Sequence, residues 1–352
     1  MNNNNILDGG REDSYDIRNY KDGIFRKKIK DKFIYFYIKN NEEITKKDLD
    51  RINKLNIPPA WTALWVSTDA KSKIQAVGID IKGRKQYRYH TDYIELSEKK
   101  KFLRLFDFIK ALPTLESHMA KHAKLNIYDK YKVIATMLQI VKHTYMRVGK
   151  EQYARENKSY GISSLKKSHL KINGDIINFN FKGKSNQRLN YIIKDPELKI
   201  HLQLLEKLAG DKLFQYIDTG IDANTNTNAN SKIKKIHDTD LNEYIQLFMG
   251  SDFTIKDFRT YAANYHFINS LLEETKKRLP KNDKIKKKNI MKSLKKTAKY
   301  LKHTKAISKK SYVMNFIIDL YMTNSDYFVK RKYESPNDIL LDLLKIYKKS
   351  IV

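Results

Sequence analysis

From Phe33 the chain alternates, with Ile34, Phe36 and Ile38 on one face and Tyr35, Tyr37 and Lys39 on the other. A period of two predicts a strand. Further short strands are predicted at Trp61–Ser67, Ile74–Ile81 and Lys85–His90, the last two joined by a Lys82-Gly83 turn that suits a hairpin. Near residue 95 the texture changes. Lys99–Leu112, Tyr131–Val148 and Asp195–Leu208 carry apolar residues at i, i+3 and i+4, the spacing of a helix with one buried face. Leu170–Ile172 and Ile176–Phe181 interrupt the helices as a hairpin about Asn173-Gly174, and the strand runs on into a second turn, Lys182-Gly183-Lys184-Ser185. Helices are then predicted at about 239–249, 255–272, 285–302, 309–322 and 336–348. Residues 1–30 are polar and charged and read as a tail or a short edge element. Asp218–Ser231, with its Asn-Thr-Asn-Thr-Asn-Ala-Asn run, reads as a flexible Asn-rich insert.

These elements predict an α+β chain: a polar tail over 1–30, a small β-rich domain over 31–95 and a mostly helical domain over 96–352. A hydrophobic fraction of 41% supports a real core. The charge narrows the partners. Seventy Lys+Arg against 40 Asp+Glu give a formal net charge of +30, which predicts salt-sensitive attraction to a polyanion, nucleic acid above all. A lysine-rich surface kept for solubility is the plainer reading. The absence of cysteine excludes disulfides, thiolate zinc sites and a cysteine nucleophile, and fits an intracellular protein. The start Met1-Asn2-Asn3-Asn4-Asn5 has no apolar signal core, and no run approaches the ~18 apolar residues that span a bilayer. A soluble protein without a membrane partner is expected.

The candidate chemistry lies in two segments. His303 and Tyr312 stand nine residues apart, and Lys256-Asp257-Phe258-Arg259-Thr260-Tyr261 lies upstream. Cleaving a phosphodiester without a metal needs an in-line nucleophile, cations around the phosphate oxygens and an acid for the leaving oxygen. With no cysteine the nucleophile is a Ser, Thr or Tyr. A phenol, with an ordinary pKa of about 10, ionises more easily than an alcohol, which favours Tyr312. Arg259, at a helix start, and Arg147, in Tyr145-Met146-Arg147-Val148-Gly149-Lys150, each present a fork that matches two phosphate oxygens. Taken singly, each has a blander reading. Tyr312 is one of 23 tyrosines, the arginines are helix-end charges, His303 is a core or surface histidine, and Lys184 is one turn lysine among many.

The motifs together carry a resemblance. Ile57-Pro58-Pro59-Ala60-Trp61-Thr62, Ile74-Gln75-Ala76-Val77-Gly78 and Gly83-Arg84-Lys85-Gln86-Tyr87-Arg88-Tyr89-His90 resemble the amino-terminal domain of type IB DNA topoisomerases of the poxvirus and bacterial group. Tyr153-Ala154-Arg155-Glu156-Asn157-Lys158-Ser159-Tyr160-Gly161, Phe181-Lys182-Gly183-Lys184, the Lys256–Tyr261 motif and the His303–Tyr312 motif resemble that family's catalytic domain. They follow the family's order over about residues 33–322, leaving the tail, the Asn-rich insert and the last residues uncovered.

The resemblance implies a catalytic domain of the tyrosine recombinase/topoisomerase IB type, and relaxation of supercoiled duplex DNA through a 3′-phosphotyrosyl intermediate without ATP, metal or other cofactor. Tyr312 would be the nucleophile; Arg147, Arg259 and His303 would hold the scissile phosphate; Lys184 would be the general acid. Arg84, Gln86, Tyr87 and Tyr89 would touch DNA from the amino domain, Lys150 and Tyr153 from the helix after Arg147, and Asn264 from a supporting position. Lys150 and Tyr153 lean toward the members that select a short pyrimidine-rich site. A monomer is implied, intracellular and soluble, placed in a virion or replication site if the source is a large DNA virus. In two places the chain departs from the pattern: Ser185-Asn186-Gln187 replaces a bulkier run, and the Asp218–Ser231 insert has no counterpart. Lys281–Lys302 reads equally as a solvated helix face or a DNA track. The alternative enzyme is a tyrosine recombinase or integrase, which usually carries His-x-x-Arg where this chain has Lys256-x-x-Arg259. An architectural DNA-binding protein is the non-enzymatic alternative.

Overall fold

The computed structural model describes residues 21–218, 232–250 and 253–350. The chain is α+β and divides into two compact units, Met1–Lys101 and Phe102–Val352.

The first unit is built on an antiparallel sheet of order β2-β1-β3-β4-β5. Its strands are β1 (Ile24–Ile29), β2 (Lys32–Tyr37), β3 (Thr62–Val66), β4 (Ile74–Ile79) and β5 (Lys85–Tyr89), with helix α1 (Lys46–Lys54) between β2 and β3. Thr45 caps α1 by accepting from the Asp48 N–H at 3.2 Å, which satisfies an otherwise orphaned donor. Ile24, Tyr35, Ile52, Trp61, Leu64, Val66 and Ala76 form the core. Strands β3 to β5 lie where alternation puts them. Strand β1 lies inside the stretch read as tail or edge, yet it is an inner strand: Ile24 faces Tyr37 on one side and Val66 on the other. Residues 1–20 of the expected tail lie outside the described residues.

The second unit is mostly helical. It takes in most of α2 (Thr91–Ala123), then α3 (Lys130–Thr144) and α4 (Glu151–Asn157). A three-stranded sheet follows, β6 (Leu170–Asn173), β7 (Ile176–Lys182) and β8 (Arg188–Lys194), in sequential order. After α5 (Pro196–Lys207), strands β9 (Gln215–Asp218) and β10 (Lys232–Lys235) pair antiparallel. The Asn-rich insert between them lies, after Asp218, outside the described residues. The remaining helices are α6 (Asp238–Met249), α7 (Ile255–Lys277), α8 (Asp283–Tyr300), α9 (Lys305–Ile307), α10 (Asn315–Thr323), α11 (Asp326–Lys330) and α12 (Pro336–Ser350).

Helix α3 runs through the core, with Val133, Ile134, Ala135, Met137, Leu138, Ile140 and Val141 all buried. Three expected boundaries move. Helix α2 continues through Pro113 to bury Leu115 and Met119. Helix α3 stops at Thr144 rather than Val148, because Tyr145 turns left-handed at φ 51 and its N–H bonds the Val141 carbonyl. The helix expected over 309–322 is broken. A π-helical turn occupies Ser308–Tyr312, and Val313 and Met314 are extended before α10 begins. Among the described residues no helix is long and apolar enough to cross a membrane.

Candidate active site

The start of α7 is fixed by a carboxylate. Asp257 is buried and accepts from the Thr254 N–H at 2.9 Å, the Thr254 hydroxyl at 3.0 Å and Arg104 Nη2 at 2.6 Å. Two residues on, Arg259 is only 2% exposed. Its Nη1 donates to the Tyr145 carbonyl, and its Nη2 donates to the Leu301 carbonyl at 2.8 Å and lies 3.3 Å from His303 Nδ1. Its Cζ lies 5.6 Å from the centre of the Tyr312 ring. The guanidinium pairs with no carboxylate among the described residues, and its Nε–H finds no acceptor there. Burial and the like charge of Arg147 both press its pKa down. A buried guanidinium held only by neutral groups is expensive unless an anion joins it.

His303 and Tyr312 stack, ring centres 5.1 Å apart and planes at 18°. Burial, then Arg259 and Arg147, push the His303 pKa down to about 4, so the ring is neutral at ordinary pH. Arginine only donates, so Nδ1 beside Arg259 carries the lone pair and the single ring N–H is on Nε2. That N–H points at Ser308 Oγ, 2.7 Å away. Burial alone would raise the Tyr312 phenol, but the charge and hydrogen bonding of Arg259, with the charges of Arg147 and Lys256, outweigh it and bring the pKa below its ordinary value. A phenol that ionises early is a better nucleophile near neutrality.

Arg147 lies half-buried in the loop after α3. Its carbonyl accepts from the Ile162 N–H at 2.9 Å. There the backbones of 149 and 161 approach so closely that a Cβ on Gly161 would meet the Arg147 oxygen at 2.5 Å. Glycine at that position lets the loop fold back and present Arg147. The structure brings Arg259, His303 and Tyr312 into contact, with Arg147 within electrostatic reach of all three.

Lys184 is exposed on the turn between β7 and β8, where Ser185 and Asn186 adopt φ 62 and 63, and it makes no ion pair among the described residues. Strand β8 borders the cluster through Tyr191, whose phenol feels both Arg259 and Arg147. Asn264, expected to touch DNA from a supporting position, is instead fully buried. Its Nδ2 donates to the Tyr312 carbonyl at 3.0 Å and its Oδ1 accepts from the Met314 N–H at 2.9 Å, so it fixes the backbone that carries Tyr312.

Lys150 occupies the position just before α4, without a side-chain capping bond, and Tyr153, half-exposed, lies in its first turn. In the first unit, Arg84 and Gln86 share one carboxylate. Arg84 Nη2 lies 2.7 Å and Gln86 Nε2 3.1 Å from Asp80 Oδ2, and hydrogen bonding to Arg84 holds that acid down to about 2. Tyr87 and Tyr89 stack at 5.9 Å along edge strand β5, and Tyr93 extends the row at 5.3 Å from Tyr89. Sequence reasoning missed Ser308, Tyr191, Asp257 and Arg104 as parts of this site. Of these, Asp257 and Ser308 carried some signal, as members of the Lys256–Tyr261 and His303–Tyr312 motifs. No group of three or more His, Asp or Glu that could hold a metal ion lies among the described residues.

Comparison with known proteins fits this geometry. Residues 83–331 match the family described as eukaryotic DNA topoisomerase I, catalytic core, and residues 32–80 match bacterial DNA topoisomerase IB, N-terminal domain. The chain is 55% identical to DNA topoisomerase 1B of Acanthamoeba polyphaga mimivirus over 339 residues, 96% of this chain and 99% of that protein. It is 26% identical over 282 residues to DNA topoisomerase I of Monkeypox virus and to DNA topoisomerase 1B of Vaccinia virus (strain Copenhagen), 79% of this chain and 82% of each of those. A family match over most of the chain, and a relative identical at more than half the aligned positions along nearly its whole length, establish that this chain belongs to the type IB DNA topoisomerases.

Proposed function

We propose that the protein relaxes supercoiled duplex DNA by breaking and resealing one strand through Tyr312. The observation that carries the reading is the buried, carboxylate-free Arg259, set against both His303 and Tyr312. The Tyr312 phenol gives its proton to water, and the phenolate oxygen attacks the scissile phosphorus. A P–O bond forms to Tyr312 as the P–O5′ bond breaks. Arg259, Arg147 and the Nε2–H of His303 take up the charge on the phosphate oxygens, and Lys184 protonates the leaving 5′-oxygen. The exposed turn bearing Lys184 suits a group that reaches the phosphate only once DNA is bound. The free 5′ end rotates, then its hydroxyl attacks the phosphotyrosine and the chain is resealed. Bond energy is conserved in the phosphotyrosine, so ATP is not needed, and side-chain cations supply what a metal would.

The second unit is read as a tyrosine recombinase-type catalytic domain, and the β-rich unit as its DNA clamp. In this reading Arg84, Gln86, Tyr87 and Tyr89 contact DNA from the clamp, and Lys150 and Tyr153 from α4. The enzyme acts as a monomer, since one chain carries every group the reaction requires. The test is relaxation of supercoiled plasmid without ATP and with EDTA present, wild type beside Tyr312→Phe. Wild type relaxes the plasmid and forms covalent adducts. The variant binds DNA and does neither. Adducts in the variant sink the assignment of Tyr312, and intact binding without relaxation by wild type moves the reading to strand exchange by a recombinase.

A further inference from the structure

The geometry points to Ser308 as a positioning residue that holds His303 in a waiting state, its hydroxyl keeping the Nε2–H until a DNA phosphate oxygen takes it over. The inference rests on the reading of His303 as phosphate ligand and Tyr312 as nucleophile, and goes beyond it. The ring has one N–H to give. Arg259 Nη2, 3.3 Å from Nδ1, fixes the tautomer and leaves Nε2 as the only donor. In the free protein that donor lies 2.7 Å from Ser308 Oγ, and Ser308 is fully buried. One N–H cannot serve the serine and a phosphate at full strength, so binding of the phosphate requires the exchange. The exchange favours the phosphate, because a hydrogen bond to an anionic oxygen is roughly twice as strong as one to a neutral hydroxyl.

Ser308 is well placed to couple this exchange to the nucleophile. Its carbonyl accepts from the Val313 N–H at 2.9 Å, closing the π-helical turn that ends on Tyr312. The same serine therefore grips the phosphate ligand by its side chain and the nucleophile's turn by its backbone. While the hydroxyl holds His303, the imidazole lies flat against the Tyr312 ring. Departures from α-helical hydrogen bonding of this kind recur at functional sites.

The experiment reads the imidazole directly. Histidine-labelled full-length protein carrying Tyr312→Phe is followed by 1H–15N NMR, alone and with a duplex oligonucleotide bearing a site mapped by wild-type cleavage. The His303 signals are assigned by their loss in His303→Asn. Free protein should show a neutral ring protonated on Nε2, and the duplex should shift that N–H downfield. Ser308→Ala in the same background should expose the free-state N–H to faster exchange with water and give the same bound-state signal. With Tyr312 restored, Ser308→Ala should form adducts at the wild-type rate or up to about tenfold faster, the worth of one neutral hydrogen bond no longer broken. An Nε2–H signal unmoved by DNA overturns the inference without needing the serine variant to fold. So does a Ser308→Ala protein that is folded but forms adducts tenfold more slowly. Adducts in Tyr312→Phe would instead sink the underlying site reading, so the two failures are separable.

Discussion

Asn264→Ala tests whether the nucleophile is positioned by its backbone. Asn264 is 0% exposed, and its amide bridges a break in the chain, donating to the Tyr312 carbonyl at 3.0 Å and accepting from the Met314 N–H at 2.9 Å. A third bond, to the Thr260 carbonyl at 2.9 Å, lies within α7 and duplicates helical bonding. Alanine strands the Tyr312 carbonyl and the Met314 N–H. Each of the two orphaned groups costs about 1–3 kcal/mol, so a stability loss of about 2–6 kcal/mol is expected. In a unit of this size the thermal midpoint should fall by roughly 2–4 °C for each kcal/mol. The larger effect is on rate. Released from Asn264, the turn ending at Tyr312 can shift, and a displacement of about 1 Å at a reacting group costs about 10²-fold. The assay is single-turnover adduct formation on a duplex, run where circular dichroism shows the variant folded, with thermal unfolding alongside. A folded Asn264→Ala protein whose adduct rate stays within threefold of wild type would refute the positioning argument, whatever its midpoint.

Arg259→Lys keeps the charge but loses the fork. One ammonium cannot serve the Tyr145 and Leu301 carbonyls and His303 Nδ1 together. Adduct formation should fall by about 10²–10³-fold with duplex affinity little changed, measured by single-turnover cleavage and by binding in a Tyr312→Phe background. The His303 pKa of about 4 sets a pH dependence of stability. The unfolded ring takes a proton near pH 6.5 and the folded one only near 4, so stability should fall as pH drops through that window. Denaturant unfolding from pH 7 to 4 should show a shallower loss in His303→Gln, and equal slopes would refute the link.

Much of the fold was legible where burial is periodic. Strands β3, β4 and β5 and helices α5 to α8 begin within a residue or two of where the pattern puts them. Strand β1 was not legible. Arg26, Lys27 and Lys28 interrupt its apolar residues, and only the fold shows how an inner strand tolerates them. The Arg26 guanidinium lies over the Phe33 ring at 4.2 Å and bonds the Pro59 carbonyl at 3.2 Å, so its stem packs while its charge is satisfied. The break before α10 was hidden for the opposite reason. Val313 and Met314 are as buried as helix residues would be, so the hydrophobic period runs straight across them.

The site divides along the same line. Residue types that do chemistry announce themselves, and Arg259, His303 and Tyr312 meet as their motifs imply. What holds them is mostly silent in sequence. The Tyr145 and Leu301 carbonyls receive Arg259, a left-handed tyrosine ends α3 just before Arg147, and a serine and an asparagine among many fix His303 and the Tyr312 backbone. Lys184 follows from the same electrostatics. Arg147 already lowers the tolerance of Arg259 for charge, no carboxylate among the described residues pairs with Arg259, and both arginines add to burial in keeping His303 neutral. A further ammonium brought in without an anion would add like-charge repulsion to desolvation. An exposed turn lets that cation wait in water, and the DNA phosphate supplies the charge that makes its approach favourable. On this argument an exposed turn is the resting place expected of Lys184 if it serves as the general acid proposed for it.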